Sequence, residues 1–128
     1  MKNKKTIFCM LALVLCMGLG VTAFAATYKG NLMYNGNKIG YGQLDHDKNK
    51  NIACGTTYSD SSNGRYAFVM TTAHNKSGTV IATKSDKGSL TAVAAVSGKN
   101  PYYYKGLHTI KRSSDSKPLA STTLYSYK

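Results

Sequence analysis

The sequence predicts an all-β fold, a small antiparallel β-sandwich of about eight strands, on three observations. After residue 25, no stretch repeats apolar residues at the three-and-four spacing of an amphipathic helix. Short runs rich in Tyr, Val, Thr and Ala recur instead, separated by clusters of Gly, Asn, Ser and Lys. Two Asn-Gly pairs, Asn35-Gly36 and Asn63-Gly64, stand between such runs, and this dipeptide accepts the positive φ that tight hairpins require.

The elements follow in order. Residues 1–25 read as a cleaved secretory signal peptide. Lys2, Lys4 and Lys5 form its basic start, Ile7 to Leu19 its apolar run, and Ala23-Phe24-Ala25 a small-x-small cleavage pattern. The run is too short for a stable membrane span. Leu13-Val14-Leu15-Cys16 has the outline of a lipoprotein site, but bulky Leu15 stands where such sites carry a small residue. Release rather than lipid anchoring is expected. Residues 26–128 then form one secreted domain, long enough for a single core without disulfide staples.

Within it, residues 28–34 and 38–44 pair around Asn35-Gly36. Residues 51–59 and 65–73 flank a loop that ends in Asn63-Gly64. Residues 79–84 and 89–96 flank Asp86-Lys87-Gly88, a short loop with its glycine in the left-handed position. Residues 102–112 and 119–127 are the last two strands, joined through 113–117 and Pro118. Alternation sets Tyr66, Phe68 and Met70 on one face against Ala67 and Val69, and groups Ile52, Cys54 and Tyr58. The chain has no Trp, so Tyr and Phe are expected to supply the bulk of the core. Cys54, the one cysteine beyond the leader, is expected to pack there as a small hydrophobe.

Charge narrows the partners. Seventeen Lys and Arg face five Asp and no Glu, a net charge of +12, which becomes +9 without the three leader lysines. So cationic a domain favours polyanions. Only Arg65 and Arg112 are arginines, and the planar arginine fork is the usual reader of bases and phosphates. A sequence-specific nucleic-acid site is therefore not expected. The partners left are an anionic cell-wall polymer, envelope lipid or another polyanion. With one cysteine beyond the leader there is no intramolecular disulfide, which points away from small secreted animal domains and toward a bacterial source.

Residues that could carry chemistry are few. Asp45-His46-Asp47-Lys48-Asn49-Lys50-Asn51-Ile52 resembles the start of a calcium loop, with Asp45, Asp47, Asn49 and Asn51 as candidate ligands. Lys50 replaces the turn glycine, and Thr56 stands where a bidentate carboxylate belongs. An ordinary polar loop is the stronger expectation. Cys54 with His46, His74 or His108 would make a thiol nucleophile and base, and Asp45 with Asp60 a carboxylate pair; neither set carries a signal of convergence. The histidines lack zinc-site spacing, and His74 falls in a predicted turn. A non-enzymatic protein without cofactor or metal is expected. The candidate binding surface is Tyr102, Tyr103, Tyr104 and Lys105, with Lys29, Lys99 and Lys111. Alternation sends one set of these tyrosines inward and displays the other beside the cations.

Gly40-Tyr41-Gly42 near the start, Tyr58-Ser59 in a following strand and Leu124-Tyr125-Ser126-Tyr127 in the final strand form a layout that resembles the lactococcin 972-type secreted bacteriocins. Those are small, signal-bearing β-sandwich proteins of Gram-positive bacteria. The resemblance implies an antibacterial protein acting at the target envelope, with lipid II-dependent inhibition of septum formation as precedent. Two other classes stay open. One is a secreted protein that assembles through an exposed edge such as residues 125–128. The other is a small extracellular enzyme in which His, Asp or Cys54 converge.

Overall fold

Asn35 and Gly36 adopt φ values of 49° and 77°. They fold β1 (Ala25–Tyr34) back onto β2 (Asn37–Asp47) as a two-residue hairpin. The computed structural model describes residues 25–128; the expected signal peptide lies outside them, apart from the backbone of Ala25. The remaining strands are β3 (Ile52–Ser59), β4 (Arg65–His74), β5 (Val80–Gly88), β6 (Thr91–Ser97), β7 (Tyr103–Arg112) and β8 (Pro118–Tyr127). They form two four-stranded antiparallel sheets, β1-β2-β3-β6 and β5-β4-β7-β8, a small all-β sandwich.

Three boundaries differ from the sequence expectation by three residues or more. β1 begins at Ala25, earlier than residue 28. β2 runs on to Asp47, which takes Asp45 and His46 out of the predicted loop and into the sheet. β5 continues through Gly88, so its turn is Ser89-Leu90 and not residues 86–88. Pairing with β4 explains the last shift, because Asp86, Lys87 and Gly88 stand opposite Val69, Phe68 and Ala67; the Asp86 carboxylate accepts the Val93 amide at 3.0 Å and ties β5 to β6 across the turn. At Asn63-Gly64 only Gly64 is left-handed, with φ 69°.

Alternation also fixes what is inside. Leu32, Leu44, Ala53, Val69, Ala73, Ala92, Tyr104 and Ile110 are buried between the sheets. Each large aliphatic side chain among them contributes about 1.5–3 kcal/mol of burial. Aromatic bulk is not the main filler, contrary to expectation: Tyr104 is fully buried, whereas Tyr66 and Phe68 are half-buried on the outer face of β4. The space is taken instead by buried polar side chains, His46, His108, Thr57, Thr71 and Ser126.

Glycines admit them. A Cβ at Gly42 would stand 2.3 Å from the His108 ring, and one at Gly106 2.6 Å from its Nε2. Bare backbone on β2 and on β7 itself thus makes room for an imidazole in the middle of the sandwich. Thr57 Oγ1 donates to the Phe68 carbonyl at 2.9 Å and lies 3.0 Å from His108 Nδ1. Its proton is already used, so Nδ1 carries the hydrogen and Thr57 accepts it. Nε2 is then a buried lone pair with no hydrogen-bond partner. Burial pushes the His108 imidazole down to about 4, against a smaller raising effect of the Thr56 backbone. Further along β2, His46 Nδ1 meets Ser126 Oγ at 2.7 Å, and its ring stands edge-on to Tyr104, centroids 4.7 Å apart. Burial, then Lys48, lowers the His46 pKa against a raising effect of Asp47.

Candidate functional site

The outer face of the second sheet is set by the register of β4, β7 and β8. His74, Tyr103 and Tyr127 form one row across the three strands; Thr72, Lys105 and Tyr125 form the next, then Met70, Leu107 and Thr123. Alternation along β7 turns Tyr103, Lys105 and Lys111 outward on this face, while Tyr104, Gly106 and His108 point into the core.

The rings of the first row touch. His74 stacks on Tyr103 with centroids 4.4 Å apart and planes 6° from parallel. Tyr103 lies 5.3 Å from Tyr127 and 6.2 Å from Tyr125, and Tyr127 is 6.4 Å from Tyr102. The stack is held from beneath: His74 Nδ1 donates to the Gly78 carbonyl at 3.1 Å, and Nε2 lies 2.7 Å from Thr72 Oγ1. Backbone bonds pin the rim, since Tyr102 N–H donates to the His74 carbonyl and Lys128 N–H to the Tyr102 carbonyl. Tyr102, Tyr125 and Tyr127 remain exposed, Tyr127 at 54%. At the other end, Lys111 Nζ sits 4.0 Å over the Phe68 ring.

Of the predicted surface, this face brings together Tyr102, Tyr103 and Lys105; Lys111 shares the face but stands at its far end, and Tyr102, which precedes β7, meets Tyr127 here and does not follow Tyr104 as alternation had implied. Lys99 is exposed on the β6–β7 connection, at the Tyr103 end. Tyr104 is no part of it: the side chain is fully buried, and burial pushes its phenol up to about 12. Lys29 belongs to the first sheet, on the opposite side of the sandwich, in register with Gln43. His74 was expected in a turn and instead ends β4; Tyr125 and Tyr127 join it through cross-strand register that no local pattern encodes.

The outer face of the first sheet carries a second aromatic group. Tyr41 stacks on Tyr58, its cross-strand partner, with centroids 4.5 Å apart. Lys29 and Lys38 hold their Nζ atoms 5.7 and 5.3 Å from the Tyr41 centroid. A shallow cleft of about 270 Å³ beside them is lined by Lys38, Gly40, Tyr41, Tyr58, Ser59 and Asp60. Burial first, then Tyr41, Asp45 and Cys54, raise the Tyr58 pKa and keep its phenol a donor.

The other candidates are dispersed. Asp45 accepts from Thr27 Oγ1 at 2.7 Å and Gln43 Nε2 at 2.8 Å. Asp47 caps its own turn, accepting the amides of Asn49 and Lys50. Asn51, at φ 52°, closes that turn in front of β3. Among the described residues, no three His, Cys, Asp or Glu gather as a metal-holding group. Cys54 is buried, but in register with Asp45 on the outward side of β3 and not in the core between the sheets. His46 and His108 point inward, and His74 lies on the other sheet, so the sandwich separates the thiol from each histidine. Asp60 is 3.2 Å from Arg65.

No family model matches the sequence, and no curated protein does. Among solved structures, the chain is similar to a β-glycosidase from Bacteroides vulgatus, at 14% identity and TM-score 0.40 over 80% of this chain and 12% of that one. It is similar to a putative β-galactosidase from Bacteroides fragilis, at 12% identity and TM-score 0.40 over 77% of this chain and 16% of that one. A β-glucuronidase from Bacteroides uniformis gives 9% identity and TM-score 0.38 over 79% and 13%. The chain spans at most 16% of the length of these three proteins, and a likeness of this extent says nothing of activity.

Proposed function

We propose that the protein is a secreted, cationic, non-enzymatic binding protein that acts at an anionic cell envelope or host surface, in the manner of a bacteriocin. The observation that carries the reading is the aromatic shelf of His74, Tyr103, Tyr125 and Tyr127 with Lys105 in its second row. Displayed tyrosines present apolar faces with polar tips, suited to a partly wet interface. Among the described residues the ion pairs are Lys50–Asp47 and Arg65–Asp60. Lys105 and Lys111 belong to neither, so their charge is available to a polyanion.

Purified Gram-positive cell walls and anionic liposomes test this in a co-sedimentation assay. Binding is expected to fall steeply between low and high salt, because exposed charges are screened. Tyr103→Ala with Tyr127→Ala is expected to weaken it at least tenfold without altering the net charge. Binding that persists unchanged at high salt, or that ignores the tyrosines, overturns the reading. Growth inhibition of Gram-positive indicator strains checks its bacteriocin component.

A further inference from the structure

We propose that the Tyr41–Tyr58 face is a second binding site, for an acidic polysaccharide, so that one domain bridges two polymer chains. The proposal rests on the preceding reading for the first of the two contacts.

The sheets of a sandwich pack about 10 Å apart, and their outer side chains leave in opposite directions. A strand of polymer lying on Tyr103 and Tyr127 therefore cannot also lie on Tyr41 and Tyr58. The two faces share no residue. Each combines touching rings with lysines that belong to neither ion pair among the described residues.

The chemistry of the first-sheet face selects the ligand. Tyr41 and Tyr58 stack on each other, so it is their ring edges and phenol groups that border the adjoining cleft and a sugar seated in it. Lys29 and Lys38 bring two ammonium groups to one ring, 5.7 and 5.3 Å from its centre. Like charges so placed favour an anion between them, and the nearby acids are engaged elsewhere: Asp45 with Thr27 and Gln43, Asp60 with Arg65. The adjoining cleft of about 270 Å³ has room for a sugar ring and carries Lys38 on its lining. A sugar ring that carries its own carboxylate meets all of these groups at once. A lipid headgroup without a ring uses only the lysines.

Polygalacturonate, a uniform polymer of uronic acid, is the probe. Two readouts are taken with the full domain: light scattering of the long polymer, and calorimetric stoichiometry with a short oligogalacturonate. The wild type is expected to bind two oligosaccharides per chain. Scattering is expected to rise with added protein and to fall again at excess, when every polymer site holds its own domain. Lys29→Ala with Lys38→Ala touches only exposed lysines. It is expected to abolish the scattering rise and halve the stoichiometry, while Lys29→Arg with Lys38→Arg restores both.

One oligosaccharide per chain that is retained in Lys29→Ala with Lys38→Ala, or bridging that survives that variant, overturns the second site and leaves the envelope-binding reading standing; one that the variant abolishes overturns the bridging. Binding to walls but not to polygalacturonate, or clustering of phosphatidylglycerol vesicles in its place, overturns the ligand class. Loss of binding to walls, vesicles and polygalacturonate alike removes the parent reading and this one with it.

Discussion

Acid is expected to unfold this sandwich through His108, and the structure sets the size of the effect. The folded imidazole is held down to about 4, while the same group in the unfolded chain titrates near 6.5. Between those values the unfolded chain binds a proton that the folded one refuses. The stabilisation is therefore complete above pH ~6.5, is lost as pH falls toward ~4, and declines no further from this group below that. A difference of about 2.5 pKa units corresponds to about 3 kcal/mol, a large share of the stability of a domain this small. His46, lowered mainly by burial, adds a loss of the same sign. The assay is urea denaturation of the wild type and His108→Leu across pH 7.5 to 4.5. His108→Leu is expected to lose about 2–3 kcal/mol less than the wild type over that span. His108→Gln serves as a second variant that retains a polar partner for Thr57. Equal pH slopes in the wild type and both variants would refute the reasoning.

Four further outcomes are expected. Gly42→Ala drives a Cβ to within 2.3 Å of the His108 ring and should cost at least about 1–3 kcal/mol as overpacking; thermal melts should show partial rescue by His108→Ala. Gly36→Ala, at φ 77° with open space around it, should cost about 1–2 kcal/mol from backbone strain alone; a melting temperature within a degree of wild type would contradict the hairpin geometry. Thr57→Val leaves the Phe68 carbonyl and His108 Nδ1 each without that hydroxyl and should cost about 1–3 kcal/mol by chemical denaturation. A double-mutant cycle on Lys111→Ala and Phe68→Leu should give a coupling of about 0.5–1 kcal/mol for the cation over the ring; zero coupling would remove that contact from the energetics.

Much of the architecture was legible locally. Asn35-Gly36 is a hairpin turn because both residues tolerate positive φ, and the structure places both there. The alternation that separated Tyr103 from Tyr104 is a property of any strand and held in β7. The errors have a common origin. Asp45 and His46 look like loop residues, yet β2 carries them because β1 and β3 pair with it on both sides. Ile52, Cys54 and Tyr58 do share a face, but it is the outer one, where Cys54 is nevertheless covered. An apolar strand face reads as core whichever way it points.

Composition, turn chemistry and period-two alternation thus determined the class, the eight strands and the partition of side chains into two faces, since each depends on a few consecutive residues. Which face closes against the opposite sheet, and which rings meet across strands, was decided only by the tertiary structure. His74 meets Tyr103 across a sequence separation of 29 residues, and Tyr41 meets Tyr58 across 17. The glycine slot that admits His108 is likewise built from β2 and β7 together. Such contacts depend on strand order and register, which non-local pairing selects and no local run of residues encodes.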